Sequence, residues 1–365
     1  MAKKIRSIDI TGSSLIIGQD ALAELKVQLE FERIRVQSFF ILVDDNTSNH
    51  CLPILVSKIP LLEEACTIVI KPGEDHKTIQ TCEFIWSELA RHGANRNSML
   101  INLGGGVITD IGGFAASAYH RGMSFINVPT TLMSMIDASI GGKTGVDLSS
   151  LKNIVGLFSN PRGIFVWPDF LKTLPHHYLV SGYAEMLKHA MISEPRFWKI
   201  LTKMPMSLIR NWDEFIYEAA SIKCRIVNND PYESGYRRLL NFGHTLGHAF
   251  ETYSLRHDEN PISHGWAVAM GMICETYISY RLLDLSLKQR DEIVKTILAN
   301  FDHYEIDANS IDELVELTYY DKKNRNGVVL LSLLREIGKA VDGQPCDAAM
   351  IRESLFRYTD FRRYR

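Results

Sequence analysis

The sequence predicts an α/β fold in which a doubly wound, mostly parallel sheet is followed by a mostly α-helical domain. Short runs of β-branched residues alternate with helical patterns over the first 170 or so residues, which is typical of parallel strands joined by crossover helices. From about Leu171 the strand signal fades and helical spacing dominates. We therefore expect an α/β domain at residues 1–170 and an α-helical domain at residues 171–365, with an active site in the cleft between them.

The individual elements follow from local patterns. Continuous runs of Phe, Ile, Leu and Val predict buried strands at 38–43, 67–70, 98–103 and 124–128. Apolar residues at helical spacing predict first-half helices at 20–32 and 78–92. The same spacing predicts second-half helices at 183–192, 215–227, 243–253, 265–283, 288–301 and 311–319, and residues 328–334 are predicted as a late strand.

Charge and cysteine content exclude several kinds of partner. The 40 basic and 43 acidic residues give a net charge of −3, so nothing indicates a nucleic acid or an anionic membrane surface as partner. No apolar run approaches the roughly 18 residues that a membrane span needs, and the basic N-terminal segment lacks the apolar core of a signal peptide. The six cysteines are scattered without a Cys-x-x-Cys pair, so we expect a cytoplasmic protein without disulfides.

A cluster of glycines marks one candidate site. Gly104, Gly105 and Gly106 lie between a predicted strand and a predicted helix, where backbone N–H groups and the helix N-terminus can face an anion such as a pyrophosphate. The fingerprint Gly-x-Gly-x-x-Gly is absent, so the fold is Rossmann-like without the standard motif, and a purely structural turn remains an equal alternative. Downstream, Gly-Gly-Lys143-Thr lacks the first glycine of a P-loop, which leaves a lysine on flexible backbone that suits a polar ligand.

A cluster of histidines marks a second candidate site. His244 and His248 are four residues apart on a predicted helix, His264 begins the next helix, and Glu185 lies in a third. Two or three imidazoles with one carboxylate are typical of a catalytic zinc site that keeps a position open for substrate. Spacing alone does not distinguish such ligands from surface or hydrogen-bonded core histidines.

Sparse basic residues accompany both clusters. If several converge, they fit a doubly anionic substrate such as a phosphorylated acid; if they do not, each is an ordinary solvated side chain. Lys188 is the exception, because a helix face that carries Glu185 is expected to point inward. These residues are Lys143, Lys152, Lys188, Lys223, Arg237 and Lys322.

The ordered set of motifs resembles the 3-dehydroquinate synthases, within the sugar-phosphate cyclases. The motifs are Gly-Gly-Gly-Val-Ile-x-Asp, Gly-Phe-x-Ala-Ser, Val-Pro-Thr-Thr-Leu, Asp-x-Ser-Ile-Gly-Gly-Lys-Thr, Lys-Asn, Ala-Glu-x-x-Lys and Asn-Phe-Gly-His-Thr-x-Gly-His. The resemblance runs from residue 72 to residue 265 and resumes at 321–324 and 337–339.

The resemblance implies a reaction of the shikimate pathway for aromatic amino acid biosynthesis, in which 3-deoxy-D-arabino-heptulosonate 7-phosphate is converted to 3-dehydroquinate and phosphate. It implies a lyase that uses NAD catalytically: transient oxidation of a hydroxyl group, elimination of phosphate, re-reduction and intramolecular aldol closure. It also implies a divalent metal ion, zinc or cobalt, since both suit one glutamate and two histidines.

By matching motif positions, the resemblance implies Glu185, His244 and His264 as metal ligands, and His248 as the residue near the phosphate and the proton transfer. Asp137 matches an acidic residue beside the reacting hydroxyl. Arg121 matches an arginine that reaches the phosphate across a dimer interface, which implies a homodimer. The implied phosphate and hydroxyl contacts are Lys143, Asn153, Lys188 and Asn241, and the contacts to the carboxylate end are Arg237, Lys223 and Lys322.

The implied NAD contacts come from the α/β half. An acidic residue after a strand holds ribose hydroxyls and disfavours a 2′-phosphate, so NAD is expected rather than NADP. Asp45 could take the role of Asp44 in this set. The set is Asp44, Asn46, Glu74, Lys77, Gly104, Gly105, Gly106, Asp110, Thr130, Thr131, Lys143, Lys152, Thr173 and Leu174.

Two departures and three alternatives complete the sequence-based prediction. Trp266 stands where the family often has glutamate, and His120 is unusual before Arg121. The first alternative is a cyclase that forms a valiolone or an inosose; the second is a metal-dependent polyol dehydrogenase that releases NADH. The third is an NAD-binding module without activity, which the filled metal and lysine positions disfavour.

Overall fold

A computed structural model describes residues 5–148, 151–319 and 328–361 of the chain. It divides into two compact units, one formed by Met1–Pro175 and Asn211–Tyr232 and the other by His176–Arg210 and Glu233–Arg365. A helical segment from the second half of the sequence thus belongs to the first unit, which a single boundary at residue 170 does not capture. That one unit binds NAD and the other binds metal stays a prediction.

The described strands and helices are numbered in chain order. The strands are β1 (Ile5–Ile10), β2 (Ser13–Gly18), β3 (Ser38–Asp44), β4 (Cys66–Ile70), β5 (Ser98–Gly104), β6 (Ser124–Pro129), β7 (Lys143–Leu148), β8 (Leu151–Phe158), β9 (Ile164–Val166), β10 (Val329–Glu336) and β11 (Lys339–Cys346). The α-helices are α1 (Ala21–Glu32), α2 (Asp45–His50), α3 (Leu52–Lys58), α4 (Ile79–Arg91), α5 (Gly106–Ala118), α6 (His176–Ser193), α7 (Pro195–Leu201), α8 (Asp213–Asn229), α9 (His244–His257), α10 (His264–Leu282), α11 (Leu287–Leu298), α12 (Ala308–Tyr319) and α13 (Ala348–Asp360).

The first unit is built on a seven-stranded sheet in the order β1-β2-β9-β6-β5-β3-β4. From β2 to β4 all neighbouring strands are parallel, and β1 pairs antiparallel with β2 at one edge. The predicted α/β class with a mostly parallel sheet is therefore confirmed. All four predicted strands lie in this sheet, as β3, β4, β5 and β6.

The strand order creates a crevice between β3 and β5. The chain leaves β3 for β4 on one side, returns to β5 on the other side of β3, and then continues outward to β6. Where the winding direction reverses in this way, the loops at the carboxyl ends of the two strands diverge and leave room for a ligand. Asp44 ends β3 and Gly104 ends β5, so both stand at this point.

The core of the sheet depends on close packing of α5 against β5. Every residue of β5 is buried, as expected for a central parallel strand covered on both faces. Inside it, the Asn102 amide donates to Asn127 Oδ1 on β6 at 2.9 Å. A Cβ atom on Gly112 of α5 would lie 2.0 Å from Asn102 Oδ1, so only glycine lets the helix approach this closely.

The second unit is mostly helical, as predicted, with one hairpin formed by β10 and β11. Helix α10 is buried from Gly265 to Ser279 apart from Trp266, which is typical of a central helix surrounded by others. Two glycines bring α9 against it: a Cβ atom on Gly271 would lie 2.4 Å from the backbone nitrogen of Gly247. Helix α6 meets the start of α10, where the Gly265 N–H donates to Ser181 Oγ at 3.1 Å.

Among the helices of the described residues, none has both the length and the apolar content that crossing a membrane would require.

All six cysteines are unpaired thiols, and five of them are buried. Burial raises the pKa of Cys51, Cys82, Cys224 and Cys346 to about 12 in each case, and raises that of Cys274 well above its usual value. Burial also raises the pKa of the half-buried Cys66. The thiolate, which is the reactive form, is therefore scarce at every position.

We predict that the folded protein resists thiol reagents. At pH 8 a thiol with a pKa near 12 is only about 0.01% ionised, compared with about a quarter of a free cysteine with a pKa of about 8.5. Treatment with a disulfide reagent at pH 8 should modify none of the five buried cysteines within minutes, whereas all six should react in the denatured chain. Rapid modification of a buried cysteine in the folded protein would contradict this prediction.

Candidate functional site

Three side chains of the second unit form a candidate metal centre. Glu185 lies in the middle of α6, His244 begins α9, and His264 begins α10. One ligand atom from each lies within 4.8 Å of the others. Glu185 is 1% exposed, while the two imidazoles are partly accessible. Three donors of these types at this spacing could hold a metal ion, with its remaining position on the accessible side.

Both histidines are oriented through the nitrogen that faces away from the centre. His244 Nδ1 lies 3.2 Å from the Phe242 carbonyl oxygen. Because a carbonyl can only accept, this contact suits the tautomer with its hydrogen on Nδ1, which leaves the Nε2 lone pair for a metal ion. His244 Nε2 lies 3.4 Å from Glu185 Oε1. His264 Nδ1 likewise lies 3.2 Å from Glu251 Oε2. Metal-ligating histidines are commonly held by a carbonyl or a carboxylate in this way.

Glu251 was not among the residues predicted from the sequence. The sequence does indicate that Glu251 lies near the histidines. It is seven residues after His244 and three after His248, and so shares their face of α9. The contact that gives it a role depends on His264, which belongs to another helix.

A second group, His248, Glu251 and His264, also brings three ligand atoms within 4.8 Å. The rings of His244, His248 and His264 form a triangle with centroids 5.5–5.8 Å apart, so the two groups adjoin and share His264. Glu185 favours the first group, because its two buried oxygens accept no hydrogen bond of ordinary geometry from the described residues. Its neighbours are the Lys188 ammonium and His244 Nε2 at ion-pair distance. A cation between Glu185, His244 and His264 would compensate that buried carboxylate.

The predicted substrate residues of the second unit include two buried cations. Lys188, one turn after Glu185 on α6, is 1% exposed, and so is Arg237. Arg237 and Asn241 belong to the short 3₁₀ segment Tyr236–Asn241 that leads into α9. The Asn241 amide nitrogen is buried and has no hydrogen-bond partner among the described residues. Buried cations and an unsatisfied amide donor are suited to an anionic, hydroxyl-rich ligand.

In the first unit, Asp137 and Lys223 form an ion pair. Asp137 lies in the π-helical turn Ser134–Ala138, and Lys223 lies on α8, with Lys223 Nζ 2.5 Å from Asp137 Oδ1. The sequence assigns these residues to different parts of the substrate. Helix α8 belongs to the first unit, so Lys223 lies beside Asp137 and the two side chains form an ion pair.

The glycine cluster lies at the carboxyl end of the central strands, as the strand–turn–helix pattern indicates. Gly104 accepts a hydrogen bond from the Thr130 N–H at 3.0 Å, and a Cβ atom on Gly105 would lie 3.0 Å from Thr131 Cγ2. Gly105 precedes α5 with no side-chain cap, which leaves the first amides of the helix available to a ligand. Asp44 caps α2 by accepting from the Thr47 N–H at 2.7 Å.

Lys77 connects three further predicted residues. Its ammonium lies 2.6 Å from Asp110 Oδ2, 2.6 Å from Asn153 Oδ1 and 3.6 Å from Glu74 Oε1. Burial alone would lower the pKa of Lys77, but the carboxylates of Asp110 and Glu74 outweigh it, so the pKa is raised and the ammonium stays charged. Burial raises the pKa of Asp110, against the opposing effect of Lys77. Asn153 adopts a left-handed backbone conformation with a φ of 51°.

The other predicted residues are more dispersed. Arg121 and His120 have positive φ values of 64° and 50° in an exposed turn after α5. Thr173 and Leu174 follow β9, which is separated from β5 by β6.

Lys143 begins β7 and is exposed, Lys152 lies half-buried on β8, and Asn46 is exposed on α2. Lys322 lies outside the described residues. Trp266 donates its indole N–H to the Asp302 carbonyl at 2.8 Å.

The fold is that of a class of cyclases, shared at a greater distance with metal-dependent dehydrogenases. A crystal structure of 2-deoxy-scyllo-inosose synthase complexed with carbaglucose-6-phosphate, NAD+ and Co2+ matches with a TM-score of 0.84 at 22% identity, over 97% of this chain and 99% of that one. ValA, a 2-epi-5-epi-valiolone synthase from Streptomyces hygroscopicus with NAD+ and Zn2+ bound, matches at 0.82 and 23% identity, over 99% of each chain. An iron-containing alcohol dehydrogenase matches at 0.65 and 13% identity, over 97% of this chain and 98% of that one.

Sequence comparisons identify the family. The 3-dehydroquinate synthase N-terminal model matches residues 67–181, and the C-terminal model matches residues 182–324. The 3-dehydroquinate synthase of Parabacteroides distasonis is 39% identical, over 95% of this chain and 98% of the relative. That of Clostridium botulinum is 36% identical, over 90% and 93%. The chain belongs to the 3-dehydroquinate synthase family, which confirms the resemblance seen in its motifs.

We predict that Glu185 and Glu251 differ in their effect on metal affinity. Glu185→Gln should abolish measurable Zn2+ binding by the metal-free protein, because it replaces a ligand. Glu251→Gln should weaken binding by about 10–100-fold, because it disturbs only the orientation of His264. Competition with a chromogenic chelator measures both. Loss of binding in Glu251→Gln with retention in Glu185→Gln would instead identify His248, Glu251 and His264 as the ligands.

We also predict that Lys77 and Asp110 depend on each other for stability. Lys77→Met should lower the free energy of unfolding by about 3 kcal/mol, because it leaves the Asp110 carboxylate without its cation. The double variant Lys77→Met/Asp110→Asn should lose less than the sum of the two single losses, as measured by urea denaturation. Lys172→Met is a matched control, since Lys172 pairs with Asp169 at the same 2.6 Å but is exposed, and should cost at most about 1 kcal/mol. Strict additivity would show that the buried pair is uncoupled.

Proposed function

We propose that this protein converts 3-deoxy-D-arabino-heptulosonate 7-phosphate to 3-dehydroquinate and phosphate, as a carbon–oxygen lyase of the shikimate pathway. The observation that carries the proposal is sequence similarity over nearly the whole chain. A relative named 3-dehydroquinate synthase is 39% identical over 95% of the chain, whereas the inosose and valiolone synthases of similar fold are 22–23% identical.

The proposal includes NAD and a divalent metal ion, zinc or cobalt. NAD+ with Co2+ or Zn2+ is named for the structurally similar cyclases. The donor set of Glu185, His244 and His264 is of the kind that both metals accept. The crevice between β3 and β5 offers the helix N-terminus of α5 to a pyrophosphate and Asp44 to ribose hydroxyls. When bound, NAD supplies a hydride acceptor for the transient oxidation, and the metal polarises the hydroxyl groups of the substrate.

In this proposal, the second unit binds the anionic ends of the substrate. Lys188 and Arg237 are buried cations that suit phosphate and carboxylate groups, and the Asn241 amide is a donor without a protein partner. His248 lies one turn after His244 with its ring partly accessible, which suits it to move a proton beside the departing phosphate. Lys322 completes the proposed set from outside the described residues.

The first unit contributes the remaining contacts. Asp137 is proposed to bind beside the reacting hydroxyl, and Lys223, its ion-pair partner, to neutralise it and to contact the carboxylate end. Lys143 and Asn153 are proposed to contact the phosphate and hydroxyl groups. The rest of the NAD contacts are proposed to be Asn46, Glu74, Lys77, Gly104, Gly105, Gly106, Asp110, Thr130, Thr131, Lys143, Lys152, Thr173 and Leu174.

A homodimer and a cytoplasmic location are also part of the proposal. Arg121 lies in an exposed turn, and we propose that its guanidinium contacts the substrate phosphate of a second copy. Six unpaired cysteines are typical of a reducing compartment.

One assay separates this function from an inosose-forming cyclase and from a dehydrogenase. Purified protein with NAD, Zn2+ and 3-deoxy-D-arabino-heptulosonate 7-phosphate should release phosphate continuously, with no net gain in absorbance at 340 nm. Glucose 6-phosphate, which lacks a carboxylate, is the matched control and should release none. Turnover of the control alone would indicate an inosose-forming cyclase, and accumulation of NADH without phosphate would indicate a dehydrogenase.

We predict that Lys188→Met lowers kcat by at least about tenfold, which corresponds to about 1.4 kcal/mol of barrier. The variant removes a buried cation beside the metal centre, so the substrate phosphate loses a charged partner. Lys199→Met, which changes an exposed lysine on the neighbouring α7, should leave kcat unchanged. Equal rates for wild type and Lys188→Met would refute the role assigned to Lys188.

A further inference from the structure

Glu275 is a fully buried carboxylate outside the motifs of the sequence. It lies on α10 at 0% exposure, one turn after Gly271, where α9 packs directly on α10. A carboxylate in such a position has to be compensated by donors, because desolvation of an isolated charge costs several kcal/mol.

Two amides at the start of α9 donate to this carboxylate. The Gly243 N–H donates to Glu275 Oε2 at 2.6 Å, and the Leu246 N–H donates to Glu275 Oε1 at 3.2 Å. Gly243 is the N-cap residue of α9 and Leu246 is its third helical residue. A capping box normally satisfies these same two amides with two side chains of the helix itself. Here one carboxylate from a neighbouring helix satisfies both.

The sequence of α9 cannot supply this cap. Gly243 adopts a left-handed conformation with a φ of 80°, and a Cβ atom on it would lie 2.3 Å from Met272 Cγ. A serine or aspartate, the usual N-cap residues, therefore cannot replace this glycine. Helix α9 thus depends on Glu275 for its first turn.

The first turn of α9 carries His244, and the contact reaches its imidazole through one peptide group. The Gly243 N–H and the Phe242 carbonyl belong to the same planar peptide bond and point in opposite directions. Glu275 holds the N–H end of that peptide at 2.6 Å, and the carbonyl end faces His244 Nδ1 at 3.2 Å. Fixing the peptide fixes the ring, and the negative charge behind it polarises the carbonyl as an acceptor.

We propose that Glu275 is a positioning residue that orients His244 for metal binding through the Phe242–Gly243 peptide. This proposal rests on the metal centre of the proposed function. In this proposal a buried carboxylate orients each of the two histidine ligands. Glu251 contacts His264 directly, and Glu275 acts on His244 through the Phe242–Gly243 peptide. Glu275 does not touch the metal, so its loss changes the affinity and geometry of the site rather than removing it.

The test compares Glu275→Gln with wild type in metal-free and metal-loaded protein. Glutamine keeps the size of the side chain but has one acceptor oxygen, so it can satisfy one of the two amides. The Kd for Zn2+ in chelator competition should rise by about 10–100-fold. The visible absorption bands of the Co2+ protein should also change, because they report ligand geometry.

Asp347→Ala is the matched control. Asp347 caps α13 of the same unit by accepting from the Met350 N–H at 2.8 Å, so its loss removes a helix cap that holds no metal ligand. It should destabilise the protein without changing the Kd for Zn2+ or the Co2+ spectrum. If Glu275→Gln behaves like Asp347→Ala, Glu275 is only a structural cap and the proposal is overturned.

Amide hydrogen exchange on metal-free wild type keeps the proposal testable if Glu275→Gln does not fold. The Gly243 and Leu246 amides should be protected although they lie in the first turn of a helix, where amides lack intrahelical partners. Rapid exchange at both would overturn the proposal. Failure of wild type itself to bind Zn2+ would instead contradict the metal centre of the proposed function, whereas tight wild-type binding with an unchanged Glu275→Gln variant would contradict the role of Glu275 alone.

Discussion

The second unit depends on the compensation of buried carboxylates. Glu185, Glu251 and Glu275 are 1%, 7% and 0% exposed, and none could remain charged there without donors or cations. Each is compensated differently: Glu275 by backbone amides, Glu251 by an imidazole, and Glu185 by Lys188 and, in the proposed function, a metal ion. The contacts of these acids determine where the histidines stand and which nitrogen each presents.

Close backbone packing makes this arrangement possible. Glycines at the crossing of α9 and α10 leave no room for side chains, so the two helices that carry His244 and His264 meet at backbone distance. A Cβ atom on Gly265 would lie 2.0 Å from the Ser181 carbonyl oxygen, so α6 and α10 meet equally closely one turn before Glu185. The proposed ligands are therefore held by helices that cannot slide without steric overlap.

Much of the fold could be predicted from the sequence, and the omissions have physical causes. Strands β3, β5 and β6 were predicted because central parallel strands give continuous apolar runs. Strand β4 lies at the sheet edge and is buried on one face only, but its run of β-branched residues still predicted it. The edge strand β1, its neighbour β2, the short β9 and the β7–β8 hairpin were not predicted. In that hairpin Gly145 and Gly156 face each other across the ladder, and glycine gives little strand signal. The membership of α8 in the first unit depends on long-range contacts that local spacing does not encode.

In the candidate site too, local patterns predicted some residues, and contacts between helices determined the others. Helical spacing located His244 and His248 but could not distinguish their roles, and only the family pattern separated them. The structure brings Glu185, His244 and His264 together, while their function as ligands stays a prediction. Glu251 and Glu275 could not be assigned from sequence, because the importance of each arises from an atom on another helix.

A crystal structure of the protein with Co2+, located by anomalous scattering, tests most directly the claim that the three buried acids have three separate roles. We expect a metal about 2.0–2.2 Å from a Glu185 oxygen and from the Nε2 atoms of His244 and His264. We also expect that Glu251 still faces His264 Nδ1 and that Glu275 still caps α9. A metal bound by Glu251 and His248, or by the Nδ1 atom of either histidine ligand, would contradict the claim.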